Sequence, residues 1–408
     1  MVSQLELVKK FCSTYDIKYF FMLNKKTQKF FKEAAYYLLK LNPTIDYDKP
    51  LYEGIATIIM NATRPTFYKP FGKIYSLIDV EVVESEKYDM KLLLLGDSHT
   101  YNHGCTKKSD DVISFIDAQV RTSTCFVDLY LEIPYIWEKE GRSVRVINTW
   151  MAHLHDKYWD CFTWTKHCHI GNLRAHYVDL RNFPNDNFIK TKQIIIALYY
   201  KHPITHYSKE IKDVLNDNIS KKIFKNQDTV INHIVSIVKK TKINKQIENI
   251  EDPKVKKAVK KYIKFWYKEV GAYVDLDIIS WSNIEKILKG KAPRRLVEKM
   301  YFVIAMLPAS LMDLYTIARM FRKFDDKPGK YSLPARNIIV FAGSFHTHRY
   351  RNFLIHELGF KLTFQQLAKT QDWTPGKGQK KAGNLCVDVS KLDQPVFRSK
   401  KAVKTVSK

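Results

Sequence analysis

No uninterrupted apolar run in the 408 residues approaches the roughly 20 that span a bilayer; Leu92–Leu95 and Ile194–Tyr200 fall far short of it. The opening stretch, Met1 to Cys12, has no apolar h-region, so no secretory leader is expected. Glycine and proline are scarce at 14 each, which excludes collagen-like repeats and low-complexity linkers. Cysteine is sparse too. Six thiols, at 12, 105, 125, 161, 168 and 386, are scattered through a long chain, a pattern that suits free thiols in a reducing compartment better than a disulfide framework. Three phosphate- and acyl-transfer signatures are missing: G-x-x-x-x-G-K-[ST], G-x-G-x-x-G and G-x-S-x-G.

What is present is apolar surface and positive charge. Hydrophobic residues make up 45% and aromatics 13%, enough to build a core without staples and too much for a disordered chain. The length suggests two or three domains, or one domain with large insertions. Lys+Arg 68 against Asp+Glu 42 leaves a net charge of +26, unevenly placed. Residues 201–300 carry 23 basic and 12 acidic side chains, a net of +11, and residues 369–408 carry 10 and 3, a net of +7. Within the first of these, Lys254–Lys268 sets Val255, Ala258, Val259, Tyr262, Ile263 and Trp266 at helical spacing, with lysines on the other face. Two readings stand: a solvated surface helix, or a face for phosphates and acidic partners. Charge of this kind supports only nonspecific, salt-sensitive polyanion binding.

Along the chain, residues 1–85 read as a helical N-terminal region, with Thr27–Leu41 its best amphipathic helix. Buried-strand patterns follow at Lys91–Leu95, Phe126–Leu131, Ser143–Asn148, His176–Leu180, Asn337–Phe341 and Phe360–Phe364. Helices are expected at Asp111–Arg121, with Ser109 or Asp110 as the cap, at Ser310–Phe324, and from the second motif described below through Leu358. This alternation predicts an α/β fold with a mostly parallel central sheet flanked by helices, spanning 86–368, with a Lys-rich helical insertion at about 205–295. Residues 369–408 read as a basic, flexible tail. In such sheets ligands bind beyond the carboxyl ends of the strands.

Two strand ends carry the same element. LLLLGDSHT (Leu92–Thr100) and IIVFAGSFHT (Ile338–Thr347) each run from an apolar strand into Gly-x-x-His-Thr, giving Gly96–His99 and Gly343–His346. His103 and His348 follow them, and a third strand end presents Glu132 in LYLEIPY. Glycine at these points suits a sharp turn or a close ligand. One such tetrapeptide carries no information; two, each straight after a buried strand, ask for an explanation. The histidines either cap strand ends by hydrogen bonding or converge with Glu132 on one site. Imidazole serves as a base near neutral pH or as a metal ligand, and two imidazoles with a carboxylate suit a divalent ion.

The paired GxxH motifs with a strand-end glutamate resemble the TraB/TIKI and erythromycin-esterase/ChaN-like superfamily. GSFHTHRYRNFLIHELGFKL (Gly343–Leu362) looks like that group's GxxH, helix, Gly-aromatic-strand ending. The chain is also similar to uncharacterised proteins of large DNA viruses that share GD/E-x-H and L-x-L-E elements. The resemblance covers about 75 residues, roughly 90–135 and 336–365. It implies a hydrolase of peptide, ester or amide bonds, with His99, Glu132 and His346 as catalytic residues or ligands of Mn, Co or Zn. It also implies support from Asp97, His103 and His348. The lack of a leader or spanning run, with scattered cysteines, sets the expectation of an intracellular, soluble protein, of host cytoplasm or virion if viral. Two departures stand against it: the metalloprotease members are membrane-tethered, and the long stretch between the motifs contains the basic insertion. The competing expectation is an inactive or virion-associated protein that holds nucleic acid or acidic partners through its basic segments.

Other groups invite weaker readings. His153–His169 gathers His153, His155, Cys161, His167, Cys168 and His169 among aromatics, without the paired spacing of a zinc finger. Structural zinc, a site-lining loop and ordinary packing are all open there. Arg174, with Asp179 and Arg181, could orient an anionic substrate or form a surface salt bridge. Arg319, in the Ser310–Phe324 helix, could reach the site or belong to that helix's surface.

Overall fold

The computed structural model describes residues 70–97, 109–123, 126–134, 150–162, 168, 170, 173–179, 187–271, 275–324, 334–368 and 385–397. His99, His103, Arg181, the helix expected at Thr27–Leu41 and the strand expected at Ser143–Asn148 lie outside them. The described residues fall into two compact units. The first comprises residues 1–133, 137–177 and 323–408, and the second residues 134–136 and 178–322.

Eight strands are described: β1 (Lys73–Tyr75), β2 (Leu77–Ser85), β3 (Met90–Asp97), β4 (Val127–Pro134), β5 (Leu173–Asp179), β6 (Asn337–Gly343), β7 (Lys361–Leu367) and β8 (Cys386–Asp388). The helices of the first unit are α1 (Val112–Thr122), α2 (Trp150–Lys157) and, late in the chain, α12 (Ser344–Leu358). Those of the second are α3 (Asn187–Tyr199), α4 (Ser208–Asn216), α5 (Asn218–Ile223), α6 (Gln227–Lys240), α7 (Lys242–Glu248), α8 (Pro253–Lys260), α9 (Tyr262–Gly271), α10 (Trp281–Leu288) and α11 (Arg294–Phe321).

The central sheet has six strands in the order β5-β4-β6-β3-β2-β7. Parallel pairing of β4 and β3 with β6, and antiparallel pairing of β2 with both β3 and β7, leaves β3, β4, β6 and β7 running one way and β2 the other. The expected α/β architecture is therefore the observed one. Strands buried on both faces need near-continuous apolar runs, and LLLL in β3 and IIVF in β6 supply them. Alternation sends Val80, Val82, Leu93, Leu95, Leu129, Leu131, Ile339 and Phe341 to one face, where Val112, Phe115, Ile116 and Val120 of α1 pack on them. Asp111 caps α1 by accepting from Ser114 N–H at 2.7 Å, one residue beyond the cap expected from sequence. On the opposite face lies α12, which ends at Gly359 in the left-handed conformation (φ 73°) that glycine adopts without strain.

Two boundaries differ from expectation. The sheet opens inside the region read as helical, because LIDVEVVES is β-branched and lies between two strands it can join. The supposed tail contributes β8, which pairs with β1 (Ile74 opposite Val387) and buries Val387, Val389, Val396 and Phe397. Gln394 fixes this segment by donating to the carbonyls of Phe71 and Val389, each at 2.9 Å. A third difference concerns the cysteines: Cys161 and Cys168 form a disulfide instead of remaining free thiols, and Cys386 is disulfide-bonded as well.

In the second unit the Lys-rich stretch behaves as an amphipathic surface, split into α8 and α9 at Lys261. Val255, Val259, Tyr262, Ile263 and Trp266 are buried, and Lys254, Lys257, Lys260, Lys261, Lys264 and Lys268 are exposed. Trp266 donates its indole N–H to Asp313 of α11 at 2.9 Å. α11 alone is long and apolar enough to cross a membrane among the described residues, with a mean hydropathy of 1.5 over its most apolar window. That window is 79% buried within the protein.

Candidate functional site

The two repeated motifs meet at one sheet edge. Register places Gly96 beside Ala342 and Asp97 beside Gly343, so both Gly-x-x-His elements leave neighbouring parallel strands at their carboxyl ends. The chain passes from Gly343 directly into α12, carrying His346 and His348 in its first turns. Glu132, near the end of β4, reaches across to this junction. Its Oε2 accepts the Gly343 N–H at 2.7 Å, and its Oε1 lies 3.5 Å from His346 Nε2. Both side chains are buried. Glu132 and His346 thus converge as expected. His99 and His103 belong to the undescribed residues after β3, whereas Asp97 is buried at the end of that strand.

His348 points elsewhere. It lies over β2, with Nε2 3.5 Å from Asp79 Oδ2 and 3.8 Å from Glu81 Oε1. Asp79 and Glu81 are two apart on a strand, hence on one face, and neither side chain is exposed. Ser344 and Thr347 donate hydroxyl hydrogen bonds to Asp79; Arg351 pairs with Glu81 Oε1, and Gln365 of β7 donates to the same atom at 2.8 Å. Burial pushes Asp79 up to about 7 despite the Ser344 hydrogen bond, with the Glu81 charge adding to the rise. Burial also raises Glu81, against the opposing Arg351 charge. For His348, burial with Arg351 and Arg349 nearby lowers the imidazole to about 4. One donor atom each from Asp79, Glu81 and His348 lie within 4.8 Å of one another, an arrangement that could hold a metal ion.

Gly96 acquires a specific reason here. Its backbone is ordinary extended strand, so conformational freedom is not the cause. A Cβ at this position would run into the Asp79 carboxylate, 2.5 Å from Cγ. Glycine leaves the space that Asp79 occupies. Asp79, Gly96, Ala342 and Glu132 form one lateral row on the face under α12. At about 4.8 Å per strand, the two acidic groups sit roughly 14 Å apart, on opposite flanks of that helix.

The remaining candidates are occupied elsewhere. Arg174 is not at the surface; it is buried, with Nε 2.6 Å from Asp128 Oδ1 and its guanidinium 3.7 Å from the Phe324 ring centre. His176 Nε2 donates to the same Asp128 oxygen at 2.7 Å. Burial opposes ionisation of Asp128, but the Arg174 charge and the His176 hydrogen bond outweigh it and hold the carboxyl below its usual range. Arg319 belongs to the second unit, near Tyr315 and Gln246, outside the unit that holds Glu132 and His346. In the His153–His169 segment, Cys161 and Cys168 are joined to each other, and His155 packs against Trp159 and contacts Tyr177 Oη at 3.1 Å. Ordinary packing is what these described residues show.

Sequence reasoning missed Asp79 and Glu81. The signal was an i, i+2 carboxylate pair inside a β-branched run, hidden by reading 1–85 as helical.

Together these features define an α/β protein with a carboxylate–imidazole pair at the carboxyl edge of its sheet and a buried Asp-Glu-His group beside it. No protein-family model, curated protein or solved structure matches the chain.

Proposed function

We propose that the protein is a hydrolase acting on a peptide, ester or amide bond, with His346 as general base and Glu132 as the residue that orients it. The observation behind this reading is the buried Glu132–His346 pair at 3.5 Å, on the sheet edge where α/β proteins bind ligands. Glu132 is itself anchored by the Gly343 N–H, so it can fix the imidazole without moving. In the reaction, His346 takes a proton from water as the oxygen attacks the carbonyl carbon. The C–O or C–N bond then breaks, and the leaving group receives that proton from the imidazolium. His99, on the neighbouring motif, would be the second imidazole of the site. A Mn, Co or Zn ion held by His99, Glu132 and His346 is the metal-assisted form of the same proposal.

The test is turnover of ester, amide and peptide panels by the full chain. His346→Ala should remove about 10²–10⁴ of the rate, with unchanged far-UV circular dichroism. Glu132→Gln, which keeps shape and removes charge, should fall in the same range. Loss of activity on chelation would select the metal-assisted form. Absence of turnover across all panels would sink the hydrolase reading. The second reading would then stand: a binding protein for nucleic acid or acidic partners. Its support is the exposed lysines of α8 and α9, and its mark would be steep salt dependence.

A further inference from the structure

We infer that Asp79, Glu81 and His348 form a binding site for a divalent transition-metal ion, separate from the Glu132–His346 pair and independent of the hydrolase proposal. Four observations carry this. The donor atoms converge: His348 Nε2 is 3.5 Å from Asp79 Oδ2 and 3.8 Å from Glu81 Oε1, and the three-residue set closes within 4.8 Å. Metal–ligand bonds of about 2.0–2.2 Å at tetrahedral or octahedral angles separate neighbouring donors by roughly 3–3.5 Å. The two imidazole–carboxylate spacings therefore need to contract by only about a few tenths of an ångström around an ion, within a set that spans no more than 4.8 Å.

Second, two polar atoms of the set lack a hydrogen bond: the imidazole nitrogen, and the second oxygen of the Glu81 carboxylate whose Oε1 faces it. Both atoms, His348 Nε2 and Glu81 Oε2, are buried, and the Glu81 side chain has no exposure at all. A buried carboxylate oxygen without a partner is costly, and native proteins rarely retain one without a ligand or water to satisfy it. Third, the two carboxylates are partnered unequally. Arg351 pairs with Glu81, whereas Asp79 receives the neutral hydroxyls of Ser344 and Thr347.

Fourth, the supports are those that position metal ligands. Ser344 and Thr347 hold Asp79, and Gln365 and Arg351 hold Glu81; all are on rigid strands or on α12. Gly96 provides the room for the Asp79 carboxylate. His348, with a side chain 34% exposed, offers the entry route. Two carboxylate oxygens and one imidazole nitrogen, without thiolate, favour ions of the Mn²⁺, Co²⁺ and Zn²⁺ type, and three protein ligands leave coordination positions for water.

The experiment is Mn²⁺ binding to chelator-stripped, full-length protein, read by electron paramagnetic resonance of free Mn²⁺. The expected result has three parts: saturable Mn²⁺ binding by wild type, at least tenfold weaker binding by His348→Ala and Glu81→Gln, and wild-type binding by Glu298→Gln, whose side chain is exposed on α11 of the second unit. His348 is partly exposed, so His348→Ala keeps the test valid if Glu81→Gln fails to fold. Wild-type protein that takes up no Mn²⁺ at millimolar concentration would overturn the assignment. So would a folded His348→Ala protein that binds as wild type does. The Glu132–His346 proposal is read separately, by turnover, and its metal-free form stands whichever way Mn²⁺ binding falls.

Discussion

Gly96→Ala is a demanding test of the site's construction, because it adds one methyl group at a place with no room for it. The new Cβ would stand 2.5 Å from Asp79 Cγ, where carbon atoms normally approach to about 3.5–4.0 Å. Neither side can yield cheaply. Asp79 and Gly96 are paired in the β2–β3 ladder, and the carboxylate is held from above by Ser344 and Thr347. Relief requires strand displacement or rotation of Asp79 out of its hydrogen bonds. Overpacking costs about 1–3 kcal/mol, and loss of a buried hydrogen bond adds about 1–3 kcal/mol. The expected destabilisation is thus about 2–6 kcal/mol, a large part of the usual 5–15 kcal/mol for a folded domain. Urea denaturation of four proteins measures it: wild type, Gly96→Ala, Asp79→Ala and the double variant. With the carboxylate gone, the added methyl should cost less than about 1 kcal/mol, so the two changes should couple strongly. A near-neutral Gly96→Ala, or equal cost in both backgrounds, would refute the account of why glycine stands there.

Two further outcomes test the surrounding fold. Asp128→Ala strands Arg174 as an uncompensated buried charge and should cost about 3–5 kcal/mol by chemical denaturation. Because Asp128 is held below the ordinary carboxyl range when folded, its stabilisation is present above about pH 4 and is lost as pH falls towards the folded value; Asp128→Asn should therefore flatten that part of the acid limb. Ending the chain at residue 384 removes β8 with buried Val387, Val389, Val396 and Phe397. At about 1.5–3 kcal/mol per side chain this is an upper estimate of 6–12 kcal/mol, enough to unfold the first unit, and an unchanged urea midpoint would contradict it.

The sequence by itself determined the layers and the meeting edge. Apolar runs such as Leu92–Leu95 and Ile338–Phe341 can satisfy only a strand buried on both faces, and their alternation with helical stretches selects a mostly parallel sheet. That architecture sends every parallel strand's carboxyl end to one side, so the paired glycines and the Glu132–His346 contact were legible from motif order. The Lys254–Lys268 stripe was equally legible, since helical period alone separates its buried and exposed faces. What the sequence left undecided depended on contacts between distant segments. A short β-branched run such as Leu77–Ser85 becomes a strand because β3 and β7 offer it partners, and Cys386–Asp388 does so because β1 lies beside it. Asp79 and Glu81 could be joined to His348 only once β2 lay beneath α12, more than 260 residues later in the chain. Arg174, read as a surface or substrate-facing cation, is committed to Asp128 by a pairing between strands 46 residues apart. Periodicity is written locally, residue by residue; which carboxylate meets which cation is set by register and packing, and those exist only in the folded chain.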